Sequence, residues 1–262
     1  MLKMKSQYRR WAYILGWLTM AFVSGPKASA KGNIALIYRG PAACDGCAEA
    51  AADMVKQSGQ HLEVHYIGPD EDLTFSDAAF ANAVLYVQPG GGDNLDETYE
   101  KDIKPYRAYV RNFIKNGGRY LGICMGGYLA GQPGFDLIPG IADQYIRLDH
   151  AQVKHSGDTV VEVKWGDHQR TMFFQDGPFF KLSKQGLLTS KTQVLARYAS
   201  LPNDDSAEDA IAAMIAPFYQ GKVAVIGPHP EATGSWYRES QLKAPLELTE
   251  DISLELILAL LK

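Results

Sequence analysis

Cysteine is scarce in this chain: three residues among 262 are far below the share of about 8–10% typical of disulfide-stapled scaffolds, so that class is excluded. Glycine, with 25 residues, and proline, with 13, are too few for a collagen-like or low-complexity chain. Hydrophobic residues make up 46% and charged residues 21%, which excludes intrinsic disorder and allows a buried core. The length fits one large α/β domain or two small ones, and no change of composition within the body favours two.

An excess of positive charge is also missing. The formal net charge is −4, and the first thirty residues hold five of the 26 basic residues and no acidic one. The remaining 21 basic and 30 acidic residues give the body of the chain a net charge of −9. Binding to a nucleic acid backbone requires a clustered basic surface, so no nucleic acid partner is expected.

The first thirty residues have the layout of a secretory signal peptide. A basic start is followed by an apolar stretch over residues 11–23 and by Ala28-Ser29-Ala30, which has the small-x-small form of a cleavage site. Thirteen apolar residues are too few to cross a bilayer core, which needs about 20. We therefore predict cleavage near Ala30, no stable membrane span, and a body of residues 31–262 that is periplasmic or secreted. An uncleaved anchor or a first helix is the alternative.

Strand-like and helix-like patterns alternate along the first half of the body. The strand patterns cover residues 33–39, 61–67, 83–88 and 120–123, and the helical patterns cover 44–57 and the residues around 106–113. This alternation predicts an α/β fold with a mostly parallel sheet covered by helices on both faces. Shorter strand patterns at 159–165 and 171–174, with a hairpin at 211–227, predict an antiparallel extension.

The sharpest motif is Gly122-Ile123-Cys124-Met125-Gly126, directly after a strand pattern. A nucleophile raised on a tight strand-to-helix turn is crowded by neighbouring backbone, and glycines two positions before and after it relieve the crowding. The turn also puts Cys124 at the start of a helix, where backbone N–H groups favour the thiolate. Cys124 is therefore the candidate nucleophile.

A second motif, Gly227-Pro228-His229-Pro230-Glu231, follows another strand pattern. Pro230 favours an extended backbone at His229, and residues two apart in an extended chain project to the same side, so Glu231 can orient the His229 ring. A thiol, an imidazole and a carboxylate supply a nucleophile, a base and an orienting group. Because the ends of parallel strands border one crevice, we expect the two motifs to meet there.

A third motif, Pro89-Gly90-Gly91-Gly92, also follows a strand pattern. Glycines let the backbone approach a substrate closely, and an N–H group from this loop can join that of Met125 as an oxyanion hole for acyl transfer. Each motif also has a purely structural interpretation: a buried thiol, a surface histidine and an ordinary loop. The agreement of residue type and position at three places favours the chemical interpretation.

At these motifs the chain resembles the class I glutamine amidotransferase superfamily and, within it, the biotin-protein ligase N-terminal domain family. The motifs that carry the resemblance are Tyr38-Arg39-Gly40-Pro41, Cys47, Pro89-Gly90-Gly91-Gly92, Gly122-Ile123-Cys124-Met125-Gly126-Gly127-Tyr128 and Gly227-Pro228-His229-Pro230-Glu231. The resemblance implies a flavodoxin-like fold with Cys124 as nucleophile, His229 as base and Glu231 as its orienting group. It also implies that Gly91 and Met125 donate to the oxyanion.

The chain departs from the superfamily pattern at Tyr128, where its glutaminases usually carry a Gln that helps to hold the substrate. Gly90, Gly92 and Tyr128 are the substrate-binding candidates, and the expected substrate is a small-molecule or peptide amide. No Gly/Arg-rich adenylate loop is found, so biotin ligation is not predicted. No cofactor is implied, and the expected activity is Cys-dependent amide hydrolysis or acyl transfer through a thioester. A binding module of the same fold, without turnover, is the alternative.

Cys44 and Cys47 form a C-x-x-C pair at the start of the first helical pattern. In an oxidising compartment the pair can form a local disulfide or remain as two thiols. Its position also suits a redox dithiol that performs thiol–disulfide exchange, and the loop is expected to border the same crevice as Cys124, with which it could exchange. Because there is no second cysteine pair and the histidines are scattered, no metal site is predicted.

Overall fold

The computed structural model describes residues 32–92, 94–184, 186, 191–199 and 210–262. The predicted signal peptide of residues 1–30 lies outside this part of the chain. Across the described residues, no helix combines the length and the apolar character needed to span a membrane.

Eleven strands are present in the described part of the chain, and they form a single mixed sheet. They are β1 (Ile34–Tyr38), β2 (Glu63–Ile67), β3 (Ala83–Gln88), β4 (Arg119–Ile123), β5 (Gly140–Gln144), β6 (Thr159–Trp165), β7 (His168–Phe174), β8 (Pro178–Leu182), β9 (Gln193–Tyr198), β10 (Ile211–Phe218) and β11 (Gly221–Ile226).

Seven α-helices accompany these strands within the described ranges. They are α1 (Cys47–Gln57), α2 (Asp77–Phe80), α3 (Leu95–Thr98), α4 (Arg107–Lys115), α5 (Met125–Leu129), α6 (Gly234–Glu239) and α7 (Glu250–Leu261). A π-helical turn (Tyr99–Ile103) and a 3₁₀ turn (Lys104–Tyr106) connect α3 to α4. Pro105 lies in the 3₁₀ turn, and because proline has no N–H to donate, the regular helix begins after it.

The order of the strands is that of a flavodoxin-like sheet with an extension. Strands β2, β1, β3, β4 and β11 are neighbours in this order and run parallel. The order 2-1-3-4 is shared by flavodoxin-like folds. Strands β10, β9, β6 and β7 continue the sheet in antiparallel pairing, and β8 and β5 branch from β10. The predicted fold class is thus confirmed.

Side chains of the parallel strands alternate between two apolar layers, one on each face of the sheet. In β1, Ala35 and Ile37 belong to the layer that contains α1 and α7. Leu36 and Tyr38 belong to the opposite layer, which contains the apolar residues of α4. Helices therefore cover both faces, as the near-continuous apolar strand patterns predicted.

The antiparallel part is larger than the sequence patterns indicated, because β5, β8 and β9 were not predicted. These strands have only five or six residues each, and polar and apolar side chains are mixed along them. A short segment without clear alternation gives no periodic signal, so its pairing depends on the neighbouring strands.

Helix α1 begins three residues later than the pattern from residue 44 indicated, which is a correction to that boundary. Gly46 precedes the helix with a φ of 78°, a left-handed backbone that a right-handed helix cannot include. Cys44 consequently lies in the turn before α1, and Cys47 is the first helical residue.

Candidate active site

Four loops meet at the carboxyl end of the parallel strands. They follow β1, β3, β4 and β11, which are consecutive neighbours in the sheet. In this order they carry the Cys44/Cys47 pair, the glycines 90–92, Cys124 and His229. The sheet therefore brings together motifs that are far apart in the sequence, at the edge where open α/β sheets bind ligands.

Cys124 occupies the sharp turn between β4 and α5. Its φ of 49° is a left-handed value that is strained for a residue with a side chain and typical of raised nucleophiles. Its N–H donates to the carbonyl of Ile226 in β11 at 3.0 Å, which ties the turn to the neighbouring strand. A Cβ at Gly122 would overlap the carbonyl of Gly126, and one at Gly126 would overlap that of Gln88. Both glycines are thus required by the turn.

A cavity of about 590 Å³ opens beside this turn. Cys124 lies in its wall with 9% of its surface exposed, and its thiol donates to the carbonyl of Gln175 at 3.5 Å. The other sequence-predicted residues that line the same cavity are Cys44, Gly91, Gly92, Met125, Tyr128 and His229. Most of the candidate site is therefore gathered around one space of a size suited to a small ligand.

His229 and Glu231 form a buried pair. The Nδ1 atom of His229 lies 2.9 Å from Oε1 of Glu231, and the two side chains are 3% and 0% exposed. The carbonyl of Pro230, between them, accepts hydrogen bonds from the hydroxyls of Thr249 and Ser253, both at 2.8 Å. These two bonds come from the start of α7 and hold the His-Pro-Glu segment in place.

The neighbours of His229 determine its charge state. Burial by itself would lower the pKa of His229, but the charge of Glu231, with a further contribution from the neighbouring Cys124, outweighs burial and raises the pKa above the ordinary value of 6.5. Because Nδ1 is bonded to Glu231, Nε2 is the remaining ring nitrogen; it is buried and has no hydrogen-bond partner among the described residues. The Cys124 thiol donates to the carbonyl of Gln175, and its nearby sulfur also contributes to the raised pKa of His229.

Gly90 lies between Cys124 and His229. A Cβ on Gly90 would lie 2.8 Å from Cε1 of His229 and 3.4 Å from Cβ of Cys124. The carbonyl of Gly90 accepts a hydrogen bond from the N–H of Cys44 at 3.0 Å. Gly91, with a φ of 141°, packs so closely against the backbone nitrogen of Cys44 that a Cβ would overlap it. The glycine loop is therefore in contact with both catalytic candidates and with the loop after β1.

Met125 and Tyr128 lie in helix α5, directly after the turn. Met125 is the first helical residue, so its N–H belongs to the group of donors that have no partner within the helix. The hydroxyl of the buried Tyr128 donates to the carbonyl of Asp176 at 2.9 Å. Burial raises the pKa of Tyr128, which keeps the phenol neutral and able to donate. Tyr128 therefore orders the cavity wall in addition to lining it.

Cys44 and Cys47 are joined by a disulfide, with their Cα atoms 5.3 Å apart. Cys44 is exposed and lines the cavity, whereas Cys47 is buried. Cys124 is free. Of the two alternatives for this pair, a local disulfide or two thiols, the structure contains the disulfide. The bond lies beside the candidate nucleophile.

Part of the cavity wall was not predicted from the sequence. It consists of polar residues from the start of α3, the end of β5 and the 3₁₀ turn that follows it, the loop before β6 and the β7–β8 turn: Asn94, Asp96, Asp143, Gln144, Arg147, Ser156, Gln175 and Asp176. The Asp176-Gly177 dipeptide is a turn signal, but no local pattern indicates that this turn faces Cys124. Throughout the described ranges, no three or more His, Cys, Asp or Glu side chains are arranged to hold a metal ion.

Two larger enzymes are among the known protein structures that are similar to this chain. An exo-β-1,4-mannosidase from an Opitutaceae bacterium has 13% identity and a TM-score of 0.50, over 89% of this chain and 36% of that one. A β-galactosidase from Bacillus circulans has 13% identity and a TM-score of 0.48, over 88% of this chain and 30% of that one. The chain thus spans about a third or less of the length of these enzymes, and at such identity the likeness concerns the fold alone.

A ThuA-like protein from Bacteroides uniformis is similar in size, with 13% identity and a TM-score of 0.45 over 78% of this chain and 86% of that one. No curated protein matches the sequence. A family model described as biotin-protein ligase, N terminal, matches residues 33–134, from β1 to just beyond α5. The matched segment includes Cys124 and the glycine loop, and it ends before His229. Residues 33–134 are thus similar to the biotin-protein ligase N-terminal family, and the match covers less than half of the chain.

Proposed function

We propose that this protein cleaves an amide or related acyl bond by nucleophilic catalysis at Cys124. The observation that carries the proposal is that Cys124, on a strained strand-to-helix turn, shares one cavity with His229, whose Nδ1 is bonded to Glu231. A thiol, an imidazole and a carboxylate can serve as nucleophile, base and orienting group.

The proposed reaction has two stages. The Cys124 sulfur attacks the acyl carbon while His229 takes the thiol proton and passes it to the leaving amine, so a C–S bond forms as the C–N bond breaks. A water molecule, deprotonated by the same imidazole, then cleaves the thioester, releases the acid and restores the thiol. The N–H groups of Met125 and Gly91 are the proposed oxyanion donors, and removal of one such donor typically costs about 3–4 kcal/mol of transition-state stabilisation.

Alkylation of Cys124 by iodoacetamide tests the proposed pair without knowledge of the substrate, because the other two cysteines are disulfide-bonded. We expect wild type to react about tenfold faster than His229→Ala at pH 7, because a protonated imidazole beside the sulfur stabilises the thiolate. His65→Ala is the control, since His65 lies on β2 and pairs with Glu63 at 2.8 Å. Equal, slow rates in wild type and His229→Ala would contradict the proposal.

A binding module that uses the same cavity without turnover is the second candidate function. It is favoured by the hydrogen bond from the Cys124 thiol to the carbonyl of Gln175, which directs the thiol hydrogen away from the imidazole. Native mass spectrometry of the purified protein separates the two functions. A retained ligand with unmodified Cys124 supports binding alone, whereas an acyl adduct on Cys124 supports catalysis.

We also propose that the protein acts outside the cytoplasm after cleavage near Ala30. Support comes from the basic, apolar and small-residue layout of residues 1–30 and from the Cys44–Cys47 disulfide, a bond that persists in oxidising compartments. N-terminal sequencing of the protein from a periplasmic extract is expected to begin near Lys31. An intact Met1 on protein found only in the cytoplasmic fraction would contradict this proposal.

A further inference from the structure

The cavity beside Cys124 is lined by more negative than positive side chains. Asp96, Asp143 and Asp176 contribute carboxylates, and among the described residues Arg147 is the single Lys or Arg in the lining. Arg147 is exposed and forms no ion pair within the described ranges, and it acts on Asp176 through its charge. A ligand that enters therefore meets carboxylates that are not neutralised by direct pairing.

Asp176 is held in a fixed relation to Cys124. It lies in the turn between β7 and β8 with a φ of 45°, a left-handed value that is uncommon for a residue other than glycine. The carbonyl before it, of Gln175, accepts the Cys124 thiol at 3.5 Å, and its own carbonyl accepts the Tyr128 hydroxyl at 2.9 Å. Two hydrogen bonds thus join this strained turn to the turn and helix that carry the nucleophile. Strain of this kind is often found at functional sites.

The carboxylate of Asp176 is only partly satisfied by the protein. Its Oδ2 accepts a hydrogen bond from Nε2 of Gln144 at 2.8 Å. Its Oδ1 is buried and has no hydrogen-bond partner among the described residues. Burial raises the pKa of Asp176, which reflects the same incomplete solvation. A buried acceptor without a donor is costly, and a positive charge in the adjacent cavity would offset part of that cost through its field.

We propose that Asp176 is the specificity-determining residue of this cavity, and that the cavity takes acyl compounds that carry a cationic amine or guanidinium group. That such a ligand is also a substrate rests on the proposed acyl transfer at Cys124. The preference of the cavity for cations over anions does not, because it depends only on the charges in the lining and on access to the sulfur. A cation in the cavity is attracted by the charge of Asp176, which no direct ion pair neutralises among the described residues, and by the other two carboxylates.

The charge preference can be measured with three methanethiosulfonate reagents that carry a trimethylammonium group, a sulfonate group or a methyl group. In each case the Cys124 sulfur attacks the sulfenyl sulfur of the reagent, so a mixed disulfide forms and methanesulfinate leaves. Rates are followed by intact mass and divided by the rate of the same reagent with free cysteine. We expect the cationic reagent to react about tenfold faster than the anionic one at low salt, and the ratio to fall as salt is added.

Asp176→Asn tests the assignment to this residue, because asparagine has nearly the same shape and tolerates a left-handed backbone. We expect the ratio of cationic to anionic rates to fall about three- to tenfold, while the rate with the neutral methyl reagent stays within twofold. Asp143→Asn is the matched control, since Asp143 is exposed in the same lining, and its effect is expected to be smaller.

Two results would overturn the proposal. One is a wild-type protein that does not favour the cationic reagent, a measurement that requires no variant to fold. The other is a ratio that Asp143→Asn reduces more than Asp176→Asn does. Failure of the proposed acyl transfer is a separate result, because it appears as an alkylation rate that is insensitive to His229→Ala, whereas the charge ratio can still be measured in that variant.

Discussion

The Nδ1 atom of His229 lies 2.9 Å from Oε1 of Glu231, and both side chains are almost completely buried. The charge of Glu231 is the largest of the contributions that raise the pKa of His229 against the opposing effect of burial. The Glu231 carboxylate therefore has two effects: it fixes the orientation of the His229 ring, and it favours the protonated form of the ring.

Replacement of Glu231 by Gln is expected to lower the pKa of His229, because the amide keeps a hydrogen-bonding oxygen but removes the charge. A loss of one pKa unit at His229 moves the equilibrium between the thiolate–imidazolium pair and the neutral thiol–imidazole pair about tenfold toward the neutral pair. We accordingly expect the iodoacetamide rate of Cys124 at pH 7 to fall about tenfold, with the high-pH limb of its pH profile moved to lower pH. Glu63→Gln, which changes the exposed pair with His65, is the control, and a matching loss there would contradict the prediction.

The stability of the protein is expected to depend on pH through His229. Its folded pKa is raised above the ordinary value of 6.5, so protonation favours the folded state. The contribution is fully present below about pH 6.5 and is lost as pH rises through the folded pKa. The free-energy difference between wild type and His229→Ala, measured by urea unfolding from pH 6 to 9, should shrink as pH rises. When both proteins also carry Glu231→Gln, this free-energy difference should depend less on pH. A difference that grows as pH rises would contradict a raised pKa of His229 in the folded state.

Gly90→Ala is expected to reduce the reactivity of Cys124 at least tenfold, because the new Cβ would lie 2.8 Å from Cε1 of His229 and must displace the ring. Gly157→Ala is a suitable control, since the nearest atom to its Cβ is Nδ1 of His155 at 3.5 Å and its φ is not left-handed. Alkylation kinetics and a thermal melt of both variants distinguish a local displacement from unfolding. An unchanged rate in Gly90→Ala would show that the ring does not act on the sulfur.

Loss of the Cys44–Cys47 disulfide is expected to loosen the loop that holds Gly90. The N–H of Cys44 donates to the Gly90 carbonyl at 3.0 Å, so a mobile Cys44 weakens one support of the glycine loop. For so short a ring, the chain-entropy contribution to the free energy of unfolding is about 2 kcal/mol. The Cys44→Ser/Cys47→Ser double variant should lose about this amount of free energy of unfolding in urea, and its Cys124 should be alkylated more slowly.

A redox role of the Cys44/Cys47 pair is tested by an insulin-reduction assay. Insulin reduction that survives Cys124→Ser would support the redox interpretation of the pair.

Local patterns in the sequence were sufficient to predict the central fold and the identity of the site motifs. The apolar runs of β1, β3, β4 and β11 are buried on both faces of a parallel sheet, and such runs are recognisable without a structure. The glycines around Cys124 and the His-Pro-Glu segment are equally local signals, because crowding and backbone restriction act between residues close in the chain. Their chemical roles remain predictions that the experiments above test.

The rest of the cavity was decided by tertiary structure alone. Strands β5 and β8 carry few periodic signals, yet the chain around them contributes Gln144 and Asp176 to the wall beside Cys124. The turn that contains Asp176, with its left-handed backbone and its unpaired oxygen, makes hydrogen bonds with residues 32 to 51 positions away in the sequence. The sequence by itself determined the residue types that can perform acyl chemistry and the strands that carry them. Only the packing of the antiparallel extension determined the charge around them, because such long-range contacts leave no trace in local spacing.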